Sequence, residues 1–232
     1  MLRLLIWLFV GLAVVGLCGE LVRRATEGWA EPLRKTVVGS ASTLLMHAVV
    51  IGLVAWFVRL HGLTWREAFG FGRPRQWQAI GLGILAIPLI LPVTLGLQAA
   101  SELVLLWRTQ EIVLQPAVRL VSATREPWML ALLAVQTIVT APIAEELLFR
   151  GILHVAIKQA GYPRAALWGV AILFGLSHGN LLTLAPLVFF GLTLAWLYER
   201  TDNLLTPVLT HMLFNALNFV WLVFVESGQG SP

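Results

Sequence analysis

The chain has 232 residues, of which 58% are hydrophobic and only 12% charged, with a formal net charge of +4 and a mean hydropathy of +0.83. Soluble domains carry about 25% charged residues, so this composition excludes an ordinary soluble domain and predicts an all-α, polytopic transmembrane helix bundle. At about 20 residues per crossing, the length allows one integral membrane domain of seven to eight spans. The basic balance is that of arginines flanking spans and facing anionic lipid, with the bilayer and no nucleic acid as partner. The single cysteine, Cys18, excludes an intrachain disulfide.

Taken in order, residues 1–126 form an N-terminal part. Its first apolar run, residues 4–22, reads as a transmembrane helix, because no small-x-small cleavage site follows to make it a signal peptide. Further spans are predicted over 36–58 and 78–100, the last kinked by Pro88 and Pro92. Residues 101–126 mix arginines, glutamates and short apolar clusters, and predict an interfacial segment of two short amphipathic helices split near Pro116.

The second part covers 127–225. Its first span, 127–157, is long enough at about 1.5 Å per residue to require a tilt or a kink near Pro142. Spans follow over 164–178 and 181–198, and a last one starts at Thr206-Pro207, read as an N-cap with proline behind it. Residues 226–232 form a polar tail expected to be disordered. Lys158, Arg164 and Arg200 lie in the turns after residues 157 and 198, which places those turns and the N-terminus in the cytoplasm.

Against this apolar background, the stretch from Pro142 to Gly151 carries Glu145, Glu146 and Arg150. A charge at membrane depth costs roughly 2.5–3.5 kcal/mol on insertion scales. Glu146 and Arg150 stand at i and i+4, the spacing of an ion pair on one helix face, while Glu145 points about 100° away. The next span ends on Phe174-x-x-x-His178, with His178 as far from the intervening turn as Glu145 is. The last span presents His211 and Asn215 one turn apart, with Asn218 beyond. These groups fall at one depth on three helices.

A buried carboxylate beside a histidine can activate a water, and a second histidine with an amide can donate to a developing oxyanion. That chemistry suits amide hydrolysis. No hydroxyl or thiol nucleophile is placed for it, since Ser177 points away from His178 and Cys18 is remote. Glu145, His178 and His211 could instead bind Zn²⁺, although the His-Glu-x-x-His pattern is absent. An ion- or proton-coupled transporter and a non-enzymatic scaffold glued by polar contacts are the alternatives. His47, His61 and His154 read as polar contacts rather than ligands.

Glu145-Glu146-x-x-x-Arg150, Phe174-x-x-x-His178 and His211-x-x-x-Asn215 together resemble, in order, the three motifs of the CAAX protease and bacteriocin-processing family of intramembrane endopeptidases, which includes the type II CAAX prenyl proteases. The resemblance makes 127–225 the catalytic core. It implies that Glu145 activates water with His178 assisting, that His211 and Asn215 form the oxyanion site, and that Glu146, Arg150 and Phe174 support them. It implies a peptide or prenylated protein as substrate, a multi-pass protein of the cell's inner (plasma) membrane and an active site toward the cytoplasm. No cofactor is assigned, and Zn²⁺ stays open because the family has been described both as glutamate-type and as metal-dependent.

Overall fold

The computed structural model describes residues 2–72 and 75–229, with the side chains of 2–5, 8, 9, 32 and 225–229 excepted. Residues 230–232 of the expected tail lie outside the described residues. In lipid a backbone must satisfy its own hydrogen bonds, which leaves the helix as the economical form for a single apolar segment. Among the described residues nine helices follow: α1 Leu2–Ala25, α2 Glu31–Leu60, α3 Trp65–Phe69, α4 Gln76–Trp107, α5 Pro116–Ala123, α6 Pro127–Gln159, α7 Pro163–Ser177, α8 Leu181–Thr201 and α9 Leu205–Gln229. No strand occurs among the described residues. Among the described residues five helices, α2, α4, α6, α8 and α9, are long and apolar enough to cross a membrane. The chain is a multi-pass membrane protein. All seven expected spans coincide with helices, but α7, at 15 residues, is shorter than a full crossing.

Three expectations are corrected. The segment 101–126 holds one short helix, not two: α4 runs unbroken through Pro88 and Pro92 and continues to Trp107. The apolar cluster Leu103 to Trp107 extends the helix, and Thr109, with φ of 55°, turns the chain out of it. Only α5, from Pro116, is separate. The last helix is capped by Asn203, whose Oδ1 accepts from the Leu205 amide at 2.9 Å, and Thr206 is already inside its first turn. The backbone of the expected tail is helical as far as Gln229.

The long helix α6 packs between α2 and α9, while α4 lies against α8 and α9, and α7 against α8. Small residues let these backbones approach, as expected where lipid gives helices no hydrophobic reason to associate. A side chain at Gly83 would meet Thr206 and Thr210 of α9, and one at Gly191 would meet Ala171 of α7. One core cluster joins Val54, Phe69, Leu147, Leu204 and Val208, and a second joins Ile90, Phe149, Phe174, Phe190 and Leu194.

The first cluster includes a hook from the α2–α4 connection. Thr64 and Glu67 form a reciprocal cap on α3, and the Thr64 hydroxyl and amide hold the exposed Glu67 carboxyl below its ordinary range. The cap aims Phe69 into the core, where its ring lies over Gly151 and its carbonyl accepts from the Leu204 amide at 2.9 Å. Gly70 follows with φ of 73°, its Cα facing the Asp202 carbonyl. Gly70→Ala should therefore destabilise the protein by more than Gly62→Ala, whose φ of 65° is similar but whose surroundings are open. The αL strain common to both is of order 1 kcal/mol. Thermal unfolding of the two variants in detergent checks this, and equal midpoints would remove the hook from the account of stability.

Candidate active site

The acidic pair sits in α6 at a place where the helix is not regular. Val135–Thr140 and Leu147–His154 are π-helical, with Ala141–Glu146 as normal α-helix between them. Such wide turns are rare and frequent at functional sites. The first has a sequence cause. The Ala141 amide bonds the Gln136 carbonyl, five residues back. The next bond of that ladder would run from residue 142 to Thr137, but Pro142 has no N–H. The Thr137 carbonyl is satisfied from another helix: Asn215 Nδ2 donates to it at 2.8 Å.

Glu146 and Arg150 pair as their spacing predicts, with Arg150 Nη1 donating to Glu146 Oε1 at 2.8 Å and both side chains fully buried. The same Oε1 also accepts from His211 Nδ1 at 3.0 Å, a contact that spacing within one helix does not reveal. Arg150 Nη2 donates to the Gly191 carbonyl of α8 at 2.9 Å. Its guanidinium lies 4.7 Å from the centre of the Phe174 ring, a cation–π arrangement.

Glu145, 100° round the helix, is set differently. Its side chain is 24% exposed, and its Oε2 is buried with no hydrogen-bond partner, 3.9 Å from His211 Nε2. His211 thus stands between the carboxylates, Nδ1 toward Glu146 and Nε2 toward Glu145. A carboxylate accepts, so Nδ1 carries hydrogen.

His178 closes α7. Its Nδ1 lies 2.8 Å from the Phe174 carbonyl, which can only accept, so this nitrogen carries hydrogen and Nε2 presents a lone pair. Its ring meets Phe174 edge-on at 5.0 Å, and Phe174 in turn meets His211 at 5.9 Å. His178 has no hydrogen bond or ion pair with Glu145. Phe174 is what links the two histidines. The Ser177 hydroxyl donates to the Phe174 carbonyl at 2.7 Å and is not free as a nucleophile. Asn218 bonds its own helix at the Phe214 carbonyl and takes no part.

A zinc site at Glu145, His178 and His211 needs ligand atoms converging at about 2.0–2.2 Å from one point. Among the described residues no group of three or more His, Cys, Asp or Glu side chains is gathered closely enough to hold a metal ion. The residues as placed do not form a zinc cage.

Of the three other histidines, His61 bonds Phe57 and His154 bonds Glu199 at 3.0 Å, both as polar contacts. His47 of α2 lies beside Thr140 in the first wide turn and within electrostatic reach of Glu145. Its proximity to the acid, across 98 residues of sequence, left no periodic signal in the chain.

Two comparisons bear on this arrangement. Residues 127–217 match the family model of type II CAAX prenyl endopeptidases, Rce1-like. That stretch starts at the first residue of α6 and ends just past Asn215 in α9, so it contains every side chain of the site except His47. The chain is also 31% identical over 96 residues to "Putative membrane peptidase YdiL" of Bacillus subtilis (strain 168), which covers 41% of this chain. The chain spans only 38% of that relative's length. No solved structure matches. The matched stretch, 127–217, holds all three of the sequence motifs, from Glu145 to Asn215.

The buried ion pair makes a stability prediction. Removing one partner of such a pair costs about 3–5 kcal/mol, because the other charge stays buried without compensation. Arg150→Met should destabilise the protein by about that amount, and Glu146→Gln combined with it should recover part of the loss. Unfolding of the single and double variants in detergent gives the comparison; simple additivity would show that the two groups do not depend on each other.

Proposed function

We propose that this protein is an intramembrane endopeptidase that hydrolyses a peptide bond in a membrane-associated or lipidated peptide, with its site open toward the cytoplasm of a cell bounded by its inner (plasma) membrane. The observation that supports this most is the buried, unpartnered Glu145 Oε2 beside His211 Nε2, within a segment that matches a family of endopeptidases.

In this reading a water sits between Glu145 and His178. It donates one hydrogen to the carboxylate and the other to the lone pair at His178 Nε2. Glu145 takes the first proton as the water oxygen bonds the carbonyl carbon of the substrate. The carbonyl oxygen becomes an oxyanion, which accepts hydrogen bonds from His211 and from the second N–H of Asn215, whose first N–H is committed to Thr137. For Nε2 of His211 to donate, the ring must be cationic. The buried charges then balance: two carboxylates against Arg150 and the imidazolium. Collapse breaks the C–N bond, and the proton held by Glu145 passes to the leaving amine. The second water hydrogen leaves through His178 Nε2 to the same amine, so the products are a carboxylate and an ammonium group, and no external co-reactant is needed beyond water.

The test uses internally quenched peptides ending in Cys-aliphatic-aliphatic-X, with and without a prenyl thioether, and the full chain in bilayer nanodiscs. Glu145→Gln should lower kcat by about 10²–10⁴-fold, the range of general-base catalysis, and Asn215→Ala by about 10²–10³-fold. Thermal unfolding should show Glu145→Gln folded. Full activity of folded Glu145→Gln would end this mechanism. Substrate-dependent ion flux without cleavage would favour the transporter reading.

A further inference from the structure

Three polar contacts from neighbouring helices land on one wide turn of α6. From α2, His47 Nδ1 lies 2.9 Å from Thr140 Oγ1. Also at α2, the Ser40 carbonyl accepts from Gln136 Nε2 at 2.8 Å. From α9, Asn215 holds the Thr137 carbonyl. All three sites on α6 fall within Val135–Thr140, immediately before the turn that carries Glu145. His47 and Gln136 are both nearly fully buried.

The hydrogen placement follows from the partners. The Thr140 hydroxyl has its own acceptor, the Gln136 carbonyl at 3.3 Å. With its hydrogen there, its oxygen is able to accept from His47 Nδ1–H. A buried imidazole is costly to place in an apolar bundle. Here it is set against the irregular turn that Pro142 ends. Each α-helical residue advances the face by about 100°, so relaxing the widened turn by one residue would swing Glu145 away from His211 by about that angle.

We infer that His47 is a positioning residue for Glu145: its hydrogen bond to Thr140 pins the wide turn that aims the carboxylate at His211. The inference rests on Glu145 being the water-activating base, but its structural half can be measured without any substrate.

Three variants separate the hydrogen bond from the ring. His47→Ala removes it, Thr140→Val removes its acceptor, and His47→Asn puts an amide N–H where Nδ1–H was. In the full chain in nanodiscs, His47→Ala and Thr140→Val should both speed hydrogen–deuterium exchange of the amides over 138–146, and His47→Asn should not. With the quenched Cys-aliphatic-aliphatic-X peptides, the first two should lower kcat by about 10–100-fold, as a misplacement of about 1 Å does. KM should stay within about twofold, and His47→Asn should recover most of the rate. Wild-type exchange in His47→Ala overturns the inference. So does a loss of kcat that His47→Asn leaves in place, since that would assign the role to the titrating ring. If the wild type cleaves neither peptide, the peptidase reading fails on these substrates, and the exchange comparison alone decides for or against His47.

Discussion

One oxygen atom carries the architecture of this site. Glu146 Oε1 accepts from Arg150 of its own helix and from His211 of α9, and through Arg150 it reaches the backbone of α8 at Gly191. The guanidinium then lies over Phe174, tying in α7. Four helices are thus arranged around a single carboxylate that no solvent reaches. Buried ion pairs of this kind give little net stability compared with apolar packing, yet they are intolerant of losing one member. Their use is geometric. With Arg150 compensating its charge, Glu146 is free to fix the orientation of the His211 ring and leave Nε2 facing the second acid.

The two adjacent glutamates consequently do unlike work because their surroundings differ. Glu146 is fully buried, and the carboxylate is held by two donors through Oε1. Each has a buried Oε2 without a hydrogen-bond partner, but only Glu145 keeps a partly exposed side chain. A helix alone can make this division, since neighbours in sequence point about 100° apart. What turns each toward its partner is the irregularity of α6. Pro142 removes one backbone donor, and groups from α2 and α9 take over the carbonyl and hydroxyl of the widened turn.

Contacts within a helix were readable from spacing, and contacts between helices were not. The Glu146–Arg150 pair and the bond from His178 back to Phe174 each span four residues, so periodicity exposes them. The polar stripe of His211 and Asn215 was equally visible, but its targets were not. Asn215 was expected at an oxyanion and is found with one N–H on Thr137, because a proline one turn away leaves that carbonyl free. His47 looked like an isolated polar contact, since nothing in a single sequence says how α2 is rotated against α6. The same limit explains α4. The charges after Ala100 suggested an interfacial break, but the apolar run to Trp107 continued the helix, and the turn came only at Thr109.

The shortness of α7 bears on the membrane itself. Its 15 residues extend about 22 Å along the axis, against a hydrocarbon core of about 30 Å. Trp168, Ile172, Leu173 and Leu176 are exposed along it, so lipid chains must contact a surface too short for them. A bilayer meets such a mismatch by thinning locally. The thinning would bring the lipid surface nearer to both ends of α7, the one that holds His178 among them. Headgroups and their water would then sit closer to the acids than the thickness of an undisturbed membrane allows. If the protein acts as proposed, a peptide anchored at the lipid surface could reach the site by lateral diffusion, without leaving the leaflet that holds it.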